Sequence, residues 1–250
     1  MDELAPGLFV PDWPAPPGVR VVTTGRTGGQ SRAPFDTFNL ATHVGDDPAA
    51  VAANRARLRQ VAALPSEPRW LEQVHGVAVV DAGAKVMHVP QADGAWSDRA
   101  GVVCAVMTAD CLPVLLCDRA GHQVAAVHAG WRGLLAGVIE AAVARFDGGG
   151  EAVLAWLGPA IGPTAFEVGD EVRAAFVARD GAAAAAFAPS SGGRWYADLF
   201  LLARQRLHGC GVAAIHGGGD CTFSQPDRYY SYRRDGTTGR MASLIWREAV

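Results

Sequence analysis

The chain has 250 residues, half of them hydrophobic and 19% charged, a composition that describes a compact globular protein and excludes a disordered one. A formal net charge of −3, with 21 arginines and one lysine (Lys85), offers no basic face for nucleic acid, and no stretch approaches the roughly 18 uninterrupted apolar residues of a membrane span. The N-terminal sequence lacks the basic start and apolar core of a signal peptide, and the five cysteines include no Cys-x-x-Cys, so a cytoplasmic protein with free or metal-bound thiols is expected.

Residues 1–18 are rich in proline and are expected to form an irregular lead-in packed on the body. The β-branched run Val19–Thr24 predicts a first strand, and the glycine-rich turn from Gly25 to Gly29 holds Arg26 close to the backbone. Asp46-Asp47-Pro48 supplies an N-cap and a proline for a first helical turn; Val51, Leu58 and Val61 follow at helical spacing. Val102–Met107, Val114–Cys117 and Gln123–Val127 are continuous apolar runs, the pattern of strands covered on both faces. One helix is predicted from Gly133 to Phe146, then a strand over Ala152–Leu157. Further helices are predicted over Gly169–Ala178 and Asp198–His208, the latter capped by Asp198 and stopped near Gly209 and Gly211. Ala182–Ala186 reads as an exposed helical turn. With no repeat and no linker, the expectation is a single α/β (α+β) domain over residues 1–250.

Three residues stand in motifs that folding alone does not require: His75 in Gln73-Val74-His75-Gly76, Cys111 in Thr108-Ala109-Asp110-Cys111-Leu112-Pro113, and His128 in His128-Ala129-Gly130-Trp131-Arg132-Gly133. Two imidazoles and one thiolate form the ligand set of an open zinc site, whose fourth position is left for water or substrate; structural zinc nearly always has four protein ligands. Asp110 beside Cys111 reads as a partner that orients a metal ligand or accepts a proton, because carboxylates are rarely buried without a role. His43, His88, His122, His208 and His216 read as ordinary histidines, Cys104, Cys117 and Cys210 as core fillers, and Cys221 as structural. Seven histidines with no His-x-His pair are too few for a four-copper oxidase cluster, which needs about ten. Copper remains a substitute for zinc on intrinsic affinity.

Together with these motifs, Thr24-Gly25-Arg26-Thr27-Gly28-Gly29, Phe38-Asn39-Leu40, His43-Val44-Gly45-Asp46-Asp47-Pro48, Asn54-Arg55, Gly158–Pro163, Phe166-Glu167-Val168-Gly169, Cys221-Thr222, Ser231–Gly236 and Gly239-Arg240 carry a resemblance from about residue 20 to the C-terminus. The chain resembles the YfiH-type family, first called laccase-like multicopper polyphenol oxidases and read as zinc-dependent purine nucleoside phosphorylases. Gly25 stands where members usually have a second threonine, and Gln30 replaces a common apolar residue. The resemblance implies packed mixed β-sheets flanked by helices, layered α/β/β/α. It also implies phosphorolysis of adenosine, inosine, guanosine and methylthioadenosine, with adenosine deamination as a second activity. For that reaction Arg26 and Arg233 are candidate phosphate contacts, since guanidinium binds phosphate in bidentate fashion, and Asn39 is a candidate for the sugar or base. An alternative is a hydrolase with Cys111 as nucleophile, His128 as base and Asp110 as orienter, akin to members that act as peptidoglycan editing factors on a cell-wall precursor. A metal requirement separates the two. The oligomeric state is not legible.

Overall fold

A computed structural model of the protein describes residues 1–248. In chain order the elements are β1 (Asp2–Ala5), β2 (Leu8–Val10), β3 (Val19–Thr24), α1 (Pro48–Val61), β4 (Val79–Asp81), β5 (Gly94–Ser97), β6 (Val103–Thr108), β7 (Leu112–Asp118) and β8 (Val124–Ala129). They continue with α2 (Trp131–Ala136), α3 (Val138–Val143), β9 (Val153–Leu157), β10 (Glu167–Val168), α4 (Asp170–Arg179), β11 (Phe187–Pro189), β12 (Trp195–Ala197), α5 (Leu199–Gly209), β13 (Ala214–Gly217), α6 (Tyr232–Asp235) and β14 (Met241–Arg247).

Two sheets pack face to face. One is antiparallel, in the order β1-β2-β3-β14-β6. The other is mixed, in the order β13-β9-β7-β8-β5-β4, with parallel pairs at its two edges. The strands are buried on both sides because successive side chains alternate between faces. In β7, Leu115 and Cys117 enter the core between the sheets with Val124, Ala126, Cys104, Val106 and Ile245. Leu112, Val114 and Leu116 of the same strand join Ile139, Val143, Phe176 and Leu202 from α3, α4 and α5 on the other side. Val103, Ala105 and Met107 of β6 pack with Phe38, Leu40 and Leu58 under α1. The layers therefore run α/β/β/α, with a small antiparallel sheet, β10-β12-β11, on the helical side.

Most predicted elements stand where the patterning places them. Asp47 caps α1 through Ala49 N–H at 2.9 Å, and Asp198 caps α5 through Leu201 N–H at 2.9 Å. Three expectations need correction. Ala182–Ala186 forms a helical turn of the 3-10 type, but it is not simply exposed, because Ala183 and Ala186 are buried in the core on the helical side. Residues 1–18 are not wholly irregular: β1 and β2 form a hairpin about Gly7 (φ 76°) and extend the antiparallel sheet, with Leu8 paired to Thr24. Strands of four and three residues are too short to show alternation, and tertiary pairing makes them. The single helix over 133–146 is two, because Gly137 adopts φ 110°, a left-handed conformation that ends α2 and that glycine adopts without Cβ strain. Among the described residues no helix is long and apolar enough to cross a membrane.

Leu115 is fully buried between the sheets. Leu115→Ala is expected to destabilise the protein by about 2–5 kcal/mol, read from chemical denaturation at fixed metal content; a change below ~1 kcal/mol would contradict this packing.

Candidate metal centre

The site lies where strand ends meet. Pairing of Leu112 with Ala129 sets Cys111, just before β7, opposite Gly130, just after β8. His128 has the same parity along β8 as Val124 and Ala126, which face the other sheet. Met241 pairs with Thr108, so Arg240 and Ala109 leave β14 and β6 at the same edge. His75 comes from the loop before β4, held to β6 by Gln73, whose side-chain amide exchanges hydrogen bonds with the Met107 backbone at 2.7 and 2.8 Å.

One carboxylate positions two of the three expected ligands. Asp93 is fully buried. Its oxygens accept from the backbone N–H of His75 (2.9 Å), Gly76 (2.6 Å) and Val74 (3.3 Å), and pair with His128 Nδ1 at 2.8 Å. Those contacts hold His75 at φ 60°, a left-handed conformation that costs a non-glycine residue about 1–3 kcal/mol. An acceptor on Nδ1 fixes the His128 tautomer and leaves Nε2 as the donor atom for a metal. Burial pushes the Asp93 carboxyl up, but the hydrogen bonds from His128, Gly76 and His75 outweigh it and bring it below the ordinary carboxylate range.

The donor atoms of His75, Cys111 and His128 lie within 4.8 Å of one another, with Cys111 Sγ 3.8 Å from His75 Nε2. Tetrahedral zinc requires donor separations of about 3.3–3.6 Å, so these side chains are gathered to within roughly one ångström of a closed set. Among the described residues this is the one cluster of three or more histidine, cysteine or acidic side chains able to hold a metal ion. Gly130 completes the fit. A Cβ there would stand 2.7 Å from His75 Cδ2 and 3.1 Å from Cys111 Sγ, so the space in which the donors converge exists because residue 130 has no side chain. Burial raises the Cys111 thiol, yet the His128 charge and hydrogen bonds from His128 and His75 more than reverse this and favour the thiolate. Burial likewise lowers His128, and the Cys111 thiolate and Asp93 carboxylate reverse that. In the absence of metal these effects favour the thiolate of Cys111 and the protonated form of His128, and a bound metal ion would take the place of the proton.

Around the donors opens a cavity of about 360 Å³, at the lower end of the roughly 300–1,000 Å³ of small-molecule sites. Its walls carry His43, Gln73, Met107, Tyr232 and Arg240 beside the three donors. Arg240 donates Nη1 to the carbonyls of Thr238 and Gly239 at 2.9 and 3.0 Å, and no ion pair engages it among the described residues. Partial burial and the charges of Arg240 and Arg55 hold His43 below its usual pKa, so it is neutral near pH 7.

The remaining expected site residues lie elsewhere. Arg26 is not on the cavity: its guanidinium donates to Asp36 O, Asp36 Oδ2 and Pro226 O at 3.0–3.3 Å and covers the Tyr230 ring at 5.1 Å. Asn39 is fully buried, and its amide is engaged by Ala41, Asp46 and the Arg240 N–H, so that it fixes the Arg240 backbone. Arg233 donates to Glu167 O at 2.8 Å and lies over Phe166. Asp110 (φ 89°) accepts from Thr222 Oγ1 at 2.6 Å and from Arg233 N–H at 2.7 Å. Asp93, not Asp110, is thus the carboxylate hydrogen-bonded to one of the three candidate donors. Asp93 has no signal in its local sequence beyond a carboxylate beside glycine. His43, Tyr232 and Arg240 lie in segments that carry the family resemblance, but nothing along the chain distinguishes them from loop residues.

Residues 20–248 match the family model for multi-copper polyphenol oxidoreductase laccase. The chain is similar to a purine nucleoside phosphorylase of Pseudomonas aeruginosa, at 58% identity over 95% of this chain and 97% of that one. It is similar to the purine nucleoside phosphorylase YfiH of Escherichia coli, at 55% identity over 96% and 98%. A Neisseria meningitidis protein of known crystal structure superposes with a TM-score of 0.94 at 47% identity, over 97% of this chain and 100% of that one.

Asp93→Asn should weaken metal binding by about 10–100-fold, measured by competition with a chromophoric chelator; unchanged affinity would remove Asp93 from the centre. In metal-free protein at pH 7, Cys111 should be alkylated by iodoacetamide well before Cys104 and Cys117, whose burial raises their thiols, Cys117 to about 12. Added zinc should protect Cys111. Equal labelling of all three by mass spectrometry would argue against the thiolate.

Proposed function

The chain belongs to the multi-copper polyphenol oxidoreductase laccase family, and on that premise we propose that it is a cytoplasmic, zinc-dependent purine nucleoside phosphorylase. It converts adenosine, inosine, guanosine and methylthioadenosine, with phosphate, to the free base and the sugar 1-phosphate. The observation that carries the reading is a three-donor centre, two imidazoles and a thiol, at the wall of a nucleoside-scale cavity that also holds the Arg240 guanidinium, which has no ion pair among the described residues. The relatives that are named purine nucleoside phosphorylases, similar over nearly their whole length, support it.

His75, Cys111 and His128 would hold the metal, and zinc suits three mixed N/S donors with an open fourth position; the same donors accept copper on intrinsic affinity. Bound there, zinc supplies a Lewis acid for a substrate oxygen. Arg240 takes the phosphate: among the described residues its Nε and Nη2 make no hydrogen bond, and a guanidinium grips phosphate oxygens in pairs. His43, neutral, offers one ring N–H and one ring acceptor to phosphate or a ribose hydroxyl. Held against the sugar, a phosphate oxygen bonds to C1′ as the C1′–N9 bond breaks, and the purine leaves with the bonding pair and gains a proton. Cys111 and Asp110 serve as ligand and scaffold in this reading, and Arg240 replaces Arg26 and Arg233 at the phosphate. Adenosine deamination is a second activity of the same cavity.

A second reading rests on the juxtaposition of Cys111 with two imidazoles, their donor atoms within 4.8 Å of one another on the cavity wall. A cysteine nucleophile with His128 as base would hydrolyse an amide in a cell-wall precursor without metal.

Chromatography of the products from adenosine and zinc-loaded protein tests both. Adenine should form only when phosphate is present, Cys111→Ala should abolish it, and chelation should remove it until zinc is restored. Inosine formed without phosphate registers deamination. No nucleoside turnover, with amide hydrolysis that survives chelation, would overturn the phosphorylase reading in favour of the second. Arg240→Gln should raise KM for phosphate roughly 10–100-fold with a smaller effect on KM for adenosine; the reverse ranking would move the phosphate elsewhere.

A further inference from the structure

Tyr232 is 61% exposed, whereas its neighbours Tyr229 and Tyr230 are fully buried. Its side chain lines the same cavity as the metal donors, and the Arg240 guanidinium lies 5.8 Å from its ring centroid. The tyrosine hydroxyl makes no hydrogen bond among the described residues, so its position is not set by its own polar end.

The exposure is not that of a loose loop. On its N-terminal side, buried Ser231 accepts from Arg234 N–H at 3.2 Å and caps α6. On its C-terminal side, Arg233 N–H donates to Asp110 Oδ2 at 2.7 Å, and the other Asp110 oxygen is taken by buried Thr222. Arg234 then ties the turn to three carbonyls, Thr222, Phe223 and Tyr229, at 2.7–3.0 Å. Asp110 also immediately precedes Cys111, so the clasp that fixes Tyr232 is anchored one residue from a metal donor.

We propose that Tyr232 is the stacking platform for the purine base, held at the rim of the cavity by the Asp110–Thr222–Arg233 clasp. A rigid, exposed aromatic face in a ligand cavity stabilises a planar ligand by stacking, with little cost in ordering the side chain. Stacking is tolerant of base identity because every base has a π-face. The cavity should accordingly accept adenine, hypoxanthine and guanine nucleosides with similar affinity. This inference rests on the nucleoside reading of the site.

Equilibrium dialysis of labelled adenosine and inosine against zinc-loaded protein, without phosphate, tests it independently of turnover. Tyr232→Phe should bind like the unsubstituted protein, since the face and not the hydroxyl is used. Tyr232→Leu should weaken both nucleosides roughly 5–100-fold, at unchanged melting temperature and zinc content, and leave KM for phosphate within about twofold. Undiminished binding by Tyr232→Leu overturns the inference and leaves the nucleoside reading standing. Equal loss in the Phe and Leu variants also overturns it, by placing the contact on the hydroxyl. Failure of the unsubstituted protein to bind any purine nucleoside overturns both. Binding without phosphorolysis, weakened by Tyr232→Leu, supports the platform and sinks only the phosphorylase reading.

Discussion

The buried Asp93 carboxylate is the interaction on which the centre depends. It gathers three backbone N–H groups of the 74–76 turn and one imidazole, so a single charge holds a loop histidine and a strand histidine in one frame. A buried carboxylate is costly unless it is paired and hydrogen-bonded. Here four donors satisfy it, and releasing any of them would leave part of a charge unsolvated. That penalty keeps the His75 loop in a left-handed conformation it would otherwise abandon.

The other half of the site is fixed by strand register rather than by charge. Because Leu112 lies opposite Ala129, Cys111 falls beside Gly130, and any larger residue at 130 would occupy the place of the donors. Because Met241 lies opposite Thr108, Arg240 is delivered to the same edge. A slip of one residue in either pair would turn these side chains to the wrong face. The continuous apolar strands, packed on both sides, make such a slip expensive, so the rigidity of the double-sheet core is transmitted to the position of the donors. The second left-handed non-glycine residue of the site, Asp110, marks the turn from β6 into β7, and its carboxylate carries that rigidity on to the 222–235 segment.

The family's description as multi-copper oxidoreductases sits poorly with the side chains present. Among the described residues one three-donor group is available to a metal, whereas a blue-copper oxidase distributes about ten histidines over four coppers. A half-buried guanidinium and a neutral histidine beside that group suit an oxyanion substrate better than an electron-transfer chain.

The amino-acid pattern by itself determined an α/β chain with buried strands and singled out three candidate metal donors, while the α/β/β/α layering followed from the family resemblance. Short, continuous apolar runs rich in β-branched residues point to strands covered on both faces, caps such as Asp47 and Asp198 act locally, and His75, Cys111 and His128 stand beside glycine or proline breaks, where a reactive side chain stands out. The hairpin at residues 2–10 and the break at Gly137 were not legible, because short strands take their form from pairing and a glycine in a helical pattern does not announce its φ. Tertiary structure alone decided what surrounds the donors. Asp93 is 18 residues from His75 and 35 from His128, Arg240 reaches the cavity only through the β14–β6 pairing, and Arg26 and Asn39 are consumed by partners both near in sequence (Asp36, Ala41, Asp46) and far from it (Pro226, Arg240). Hydrogen bonding and charge act through space, so whether an arginine is free for a ligand or spent on a carbonyl depends on what the fold brings within 3 Å of it.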